Sequence, residues 1–261
     1  MKMHTIMIPT NVRKTIKMSE YAVHGQFLEL IVGASSQIIC IDDRVIHDHV
    51  VDSRIIIIAY KNAQLTYCDQ RRFYDDAQVI DSITLTAESD SVIRFEQRQQ
   101  GGQKIKTMLD AQLIGQSAEI IIRVGARISG NQNHELYTKQ YHRTAYGKSS
   151  CTVKMIVAGD ARSLYEGMIE VDPSARQTEA FQNHKALLMS DAAYAFAQPS
   201  LQVQTDDVQC GHGSAIGQLD AQQLEYLHAR GIDQDRAKEI LLDAFMQDLY
   251  VSEYIKSAFE K

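Results

Sequence analysis

From Phe27 to Val208 the chain reads as a train of short strand-like segments divided by polar punctuation, with scarcely any helical period until Leu219. The segments are FLELIVGA, SQIICID, RIIIIAY, QLTYC, SITLTAE, VIRFEQR, IKTMLDAQLIG, AEIIIRVGA, CTVKMIVAG, LYEGMIEV, KALLMSD and SLQVQTDDV. A series of strands without helices between them fits a sandwich, a barrel or a parallel β-helix. Many segments alternate apolar residues with Gln, Thr, Asn or Ser and are separated by brief turns, which suits stacked rungs with an apolar bore and a polar exterior. No strict short repeat is visible, so the pattern alone does not choose among the three. GQKIKTM (102–108) and GNQNHELY (130–137) are expected as turns between rungs. With only 3 prolines and no long linker, the strand region is expected to be one domain spanning residues 1–218, followed by a helical domain over 219–261.

Composition narrows the function. A formal charge of −6 argues against a nucleic-acid partner, which needs a basic face, and equally against binding to a membrane surface. The longest apolar run, RIIIIAY, is strand-sized and far short of a bilayer span. The opening MKMHTIMIPTNVRK has no apolar stretch ending in a cleavage signal, so a cytoplasmic location with reduced cysteines is expected. Cys40, Cys68, Cys151 and Cys210 are scattered, with no CxxC pair. The chain has no GxxxxGK[ST], GxSxG or HExxH, so nucleotide binding through a P-loop and hydrolytic chemistry are not indicated.

The stretch from Pro199 to Gly231 carries the most chemistry. Along a regular strand Val208, Cys210 and His212 project from one face, bringing a thiol and an imidazole toward the same point. Asp206 and Asp207 are adjacent and face opposite ways, so they form no dyad. Beyond them the period turns helical. Asp220 is a fitting N-cap, with Gln223 at N3 and a Leu219–Leu224 staple, and Gly231 suits the position just past the helix end. A second start at Asp233 leads into Ala237, Ile240, Leu241, Ala244, Phe245 and Leu249, one apolar stripe flanked by Met246, Tyr250 and Tyr254. A stripe this wide can serve the β domain, a partner, or both.

The order P-x-L-x-V-x-x-D-D-V-x-C-x-H-G (Pro199–Gly213), G-x-L-D (Gly217–Asp220) and L-x-Y-L-x-x-R-G-I (Leu224–Ile232) resembles the SufB/SufD family of iron–sulfur assembly proteins, closest to SufD. QNHKALLMSDAAYA (Gln182–Ala195) is similar to the segment just upstream in that family. Ser214 and Ala215 depart from it, standing where alanine and threonine are common. The resemblance implies a mainly β protein, a right-handed parallel β-helix followed by a small helical domain. It implies a non-catalytic scaffold that pairs with a SufB-like subunit, or with a second copy of itself, and docks a SufC-like ABC ATPase. His212 takes the position of the family's interface histidine, with Cys210 as its neighbour, so a transient iron–sulfur cluster shared across the interface is expected there. Thiolate and imidazole both suit iron, and two groups are too few for a complete site. On the helical tail Phe245, Met246, Leu249 and Tyr250 are the expected ATPase contacts.

His47 and His49 share a face if extended, but their flanks Asp42, Asp43, Arg44 and Asp52 suggest a solvated edge. A β-helix enzyme acting on carbohydrate is the alternative from another class, which would require paired carboxylates about 5–10 Å apart in an open cleft.

Overall fold

The computed structural model describes residues 3–21, 27–247 and 249. It is a parallel β-solenoid of about seven turns. Two eight-stranded sheets face each other. In spatial order the first runs His4–Ile8, Phe27–Val32, Val50–Ala59, Gln78–Ala87, Lys104–Leu113, Asn133–His142, Arg162–Val171 and Tyr194–Val203. The second runs Arg13–Lys17, Gln37–Asp42, Gln64–Asp69, Val92–Gln99, Glu119–Ile128, Lys148–Val157, Thr178–Leu188 and Val208–Gly217. A two-residue pair, Val45–Ile46 with Arg72–Phe73, widens one corner of the early turns.

Strand alternation explains the burial. Ile55, Ile57, Ile83, Leu85, Ile93 and their equivalents point inward into one continuous core, and the intervening residues face out. Among the described residues no helix covers the outer face of the first sheet, whose outward positions are mixed and polar rather than uniformly apolar as in α/β proteins. Rung length varies: Lys104 lies over Gln78, whereas Tyr194 lies over Arg162, so the stacking leaves no fixed period in the sequence.

What does repeat is a corner. Ser35, Asn62, Asp90, Ser117, Tyr146 and Gln177 all take left-handed φ values, between +54° and +64°. In each case the backbone N–H donates to a carbonyl of the next rung, as from Asn62 to Ser89 and from Ser117 to Ala145. The corner is conserved in hydrogen bonding rather than in residue type, which conceals it in the sequence.

Two expectations are corrected. Only the start of GNQNHELY is a turn, for Asn133–His142 is a ten-residue strand. Its inward residues include His134, Thr138, Gln140 and His142, so the usual apolar alternation is missing. Lys104–Leu113 likewise begins inside GQKIKTM. The acidic flank of His47 is not all solvated either. Asp42 is fully buried, bonded by Arg44 at 2.7 Å and by Tyr67 at 2.6 Å, beside a second guanidinium, Arg71.

The solenoid's last strand ends at Gly217 and two helices follow, α1 (Ala221–Ala229) and α2 (Gln234–Gln247). The Asp220 side chain accepts from Gln222 N–H at 2.8 Å, and Gly231 has φ +82° at the turn between the helices. Asp233 caps α2 by accepting from Arg236 N–H at 3.0 Å. Helix α2 lies on the outer face of the second sheet, where Leu242, Met246 and Leu249 are buried with Cys68 and Ile156 and Phe245 is partly buried against them. Lys154 Nζ donates to the Phe245 carbonyl at 2.6 Å, satisfying the helix end, and Arg127 reaches Glu239 and Asp243. Tyr250 and Tyr254 lie outside the described residues.

Candidate functional site at the open end of the solenoid

Among the described residues the final turn, Tyr194–Val203 with Val208–Gly217, has a paired neighbour on one side only. Its inward side chains therefore emerge at the open end of the core. Cys210 sits over Ala180, His212 over Gln182 and Ser214 over His184. Alternation thus does place Cys210 and His212 on one face, the inward one. Their surroundings differ. The Cys210 sulfur rests beside Val208 on a cluster of Ile169, Val171, Ala175 and Ala180, whereas His212 is exposed. Burial pushes the Cys210 thiol above its ordinary pKa, only partly offset by a hydrogen bond with the Ala180 backbone. At neutral pH it is a thiol, so a metal binding there must displace its proton. Gly211, between the two, lies against the Phe181 ring on the opposite face, its Cβ position 3.4 Å from the ring.

Beneath this pair the interior changes character. Tyr165, fully buried, exchanges a hydrogen bond with Thr138 at 3.0 Å and donates to Gln182 Oε1 at 3.4 Å. Gln182 in turn donates to the Ser200 carbonyl at 3.2 Å. Gly167 fits here because a Cβ would lie 2.4 Å from Gln182 Oε1 and 2.5 Å from the Tyr165 hydroxyl. His184 stacks flat on Tyr165, with ring centroids 5.0 Å apart, and its Nδ1 lies 3.3 Å from Ser214 Oγ. These supporting residues were missed in the sequence reading. Gln182 and His184 share strand parity with the positions under His212 and Ser214, the one signal that could have found them.

Among the described residues no group of three or more His, Cys, Asp or Glu side chains is placed to hold a metal ion. His47 and His49 are exposed and engaged with the next rung, His47 Nδ1 with the Tyr74 hydroxyl and His49 Nδ1 with Asp76, each at 2.9 Å. Asp42, Asp69 and Asp81 do come together, but as buried counter-ions of Arg71 rather than along a cleft. Phe245, Met246 and Leu249 are brought together against the sheet, away from the open end. No described helix is long and apolar enough to cross a membrane.

Three interior histidines, His134, His142 and His184, have pKa values lowered from 6.5 to about 4 by burial. Between those values the unfolded chain binds protons that the folded chain refuses, so stability falls as pH drops from about 6.5 and levels off below about 4. Thermal unfolding followed across pH 4 to 7 should show this slope, and His142→Gln should flatten it. A melting temperature independent of pH over that window would contradict the assigned burial.

The fold and the site together define a class: a parallel β-solenoid whose terminal turn places a thiol, Cys210, and an imidazole, His212, on one inward-facing side of the last strand. Comparison with known families places the chain within that class. It matches the SufBD core domain of the SUF system for FeS cluster assembly over residues 16–245, and it belongs to that family. It is 30% identical over 149 residues to the iron–sulfur cluster assembly protein SufD of Escherichia coli, covering 57% of this chain and 35% of that one. It is 28% identical over 190 residues to the chloroplastic protein ABCI7 of Arabidopsis thaliana, covering 72% and 40%. With SufD of Bacillus subtilis it shares 29% identity over 120 residues, covering 45% and 27%. The matches thus span less than half the length of each of these relatives.

Proposed function

We propose that this chain is a SufD-like, non-catalytic scaffold subunit of SUF iron–sulfur cluster assembly. In this reading the open turn pairs with a SufB-like subunit or a second copy, and Cys210 and His212 supply part of the ligand set for a nascent cluster. The observation that carries it is the chemistry of the two edges. Sheet edges are ordinarily guarded by charge. Of the first turn's two edge strands, Arg13–Lys17 has Arg13, Lys14 and Lys17 and His4–Ile8 has no charge, whereas both edge strands of the last turn, Tyr194–Val203 and Val208–Gly217, each of 10 residues, contain no Lys, Arg, Asp or Glu. On its inward face the turn leaves Leu201, over Ile169, 39% exposed and Ile216, over Ala186, 42% exposed, an edge suited to being covered. A covering subunit would supply the ligands that this chain lacks.

In the same reading the helices dock the SufC-like ATPase. Met246 and Leu249 are occupied within the chain, so the surface available to the ATPase is the groove between α1 and α2 lined by Tyr226, Leu227, Ile240 and Leu241. Co-expressed with SufB-like and SufC-like partners, the chain should purify with both. Leu241→Glu should release the ATPase and keep the β partner; equal retention of the ATPase would remove the docking claim. His212→Ala should reduce cluster formed on anaerobic reconstitution by about ten-fold or more, the scale of losing a metal ligand or its support. Unchanged cluster yield would count against the site.

A further inference from the structure

The strand that carries Cys210 and His212 is weakly secured. Val208–Gly217 is an edge strand, and 3 of its 10 residues, Gly211, Gly213 and Gly217, have no side chain to pack and add chain entropy. From His212 onward every residue of the strand is exposed. Apart from the thiol's own contact with Ala180, the one side-chain hydrogen bond from this strand to the interior, among the described residues, joins Ser214 Oγ to His184 Nδ1.

His184 is built to hold that position. It is fully buried and flat against Tyr165, whose hydroxyl is fixed by Thr138 and Gln182. Its Nε2 has no hydrogen-bond partner. A buried unpaired N–H is rarer and costlier than an unpaired lone pair, which puts the ring proton on Nδ1 and makes His184 the donor to Ser214. Ser214 in turn lies two residues from His212 on the same face of the strand.

We propose that His184 is the positioning residue of the Cys210/His212 pair, fixing the terminal strand through Ser214 so that thiol and imidazole are presented together. The inference rests on reading the pair as metal ligands, and its test separates the two claims. Co2+ titration of the full chain in complex with its β partner reports thiolate and imidazole ligation, and hydrogen exchange of residues 210–217 reports the strand. His184→Ala and Ser214→Ala should each weaken Co2+ binding about ten-fold, as lost outer-shell partners do, and the double variant should be no worse than either. His184→Asn, which keeps a donor near Nδ1, should recover most of the affinity. Amides 210–217 should exchange about ten-fold faster in Ser214→Ala. Unchanged exchange in that variant, or faster exchange with Co2+ affinity intact, overturns the positioning role. Wild-type chain that binds no Co2+ overturns the ligand reading instead, and the exchange measurement still decides whether His184 anchors the strand.

Discussion

Arg71→Met is expected to destabilise the solenoid by about 3–5 kcal/mol, the usual cost of removing one partner from a buried ionic network. Arg71 is fully buried. Its guanidinium donates to Asp69 at 2.9 and 2.7 Å, to Asp81 at 2.7 and 3.2 Å and to Ser53 at 2.8 Å, and it stands 3.8 Å from Asp42. Asp42, Asp69 and Asp81 come from three successive rungs, so one side chain ties together a corner that the two-residue strands Val45–Ile46 and Arg72–Phe73 hold only weakly. Burial lifts the Asp69 carboxyl above its ordinary pKa despite Arg71, whereas at Asp42 the hydrogen bond and charge of Arg44, with help from Arg71, outweigh burial and lower it. Three carboxylates already share two guanidiniums. Methionine preserves the volume, so the loss isolates the charge and its hydrogen bonds. Stabilities of single domains are about 5–15 kcal/mol, so the variant should lose a large part of its urea midpoint. Replacing Arg71, Asp69 and Asp81 together by apolar residues of similar volume should recover much of the loss, since such networks contribute little net stability once intact. A single-variant cost under about 1 kcal/mol would mean that the cluster is hydrated.

That cluster also shows where the sequence stops being legible. DQR at 69–71 has no visible partner, because Asp42 and Asp81 reach it only through stacking of rungs. Strands with Ile and Leu at alternate positions were readable, since burial on one face of a strand is a two-residue pattern. Asn133–His142 was not, because His134, Thr138, Gln140 and His142 occupy inward positions and break the apolar alternation. The shared face of Cys210 and His212 followed from parity alone. That this face is the inward one, with no further described rung stacked on it, depends on how many rungs stack, which no local window records. The helical stripe was readable as apolar, yet its burial against Cys68 and Ile156 depends on where the chain doubles back.

Leu201→Lys should abolish pairing through the open end, weakening association with a SufB-like partner or a second copy by at least about a hundred-fold, while leaving the single chain folded. Leu201 points toward the core end from the terminal strand of the first sheet and is already 39% exposed, so a lysine there can run its aliphatic stem along Ile169, over which it is paired, and keep its ammonium in water. The uncomplexed chain should therefore melt within a few degrees of wild type. A covering subunit changes the balance. It would strip water from the ammonium, and an unpaired buried charge costs several kcal/mol, more than the roughly 2.7 kcal/mol that corresponds to a hundred-fold loss of affinity. Lysine on an edge strand is also the means by which natural sheets refuse further strands, as the basic Arg13–Lys17 edge at the other end does. Tyr226→Lys, on α1 and 58% exposed, adds the same charge outside the terminal strands and should leave pairing unchanged. Sedimentation of each variant with its partner distinguishes the outcomes: equal loss in both would indicate a general charge effect, and full pairing by Leu201→Lys would place the interface on another face of the solenoid.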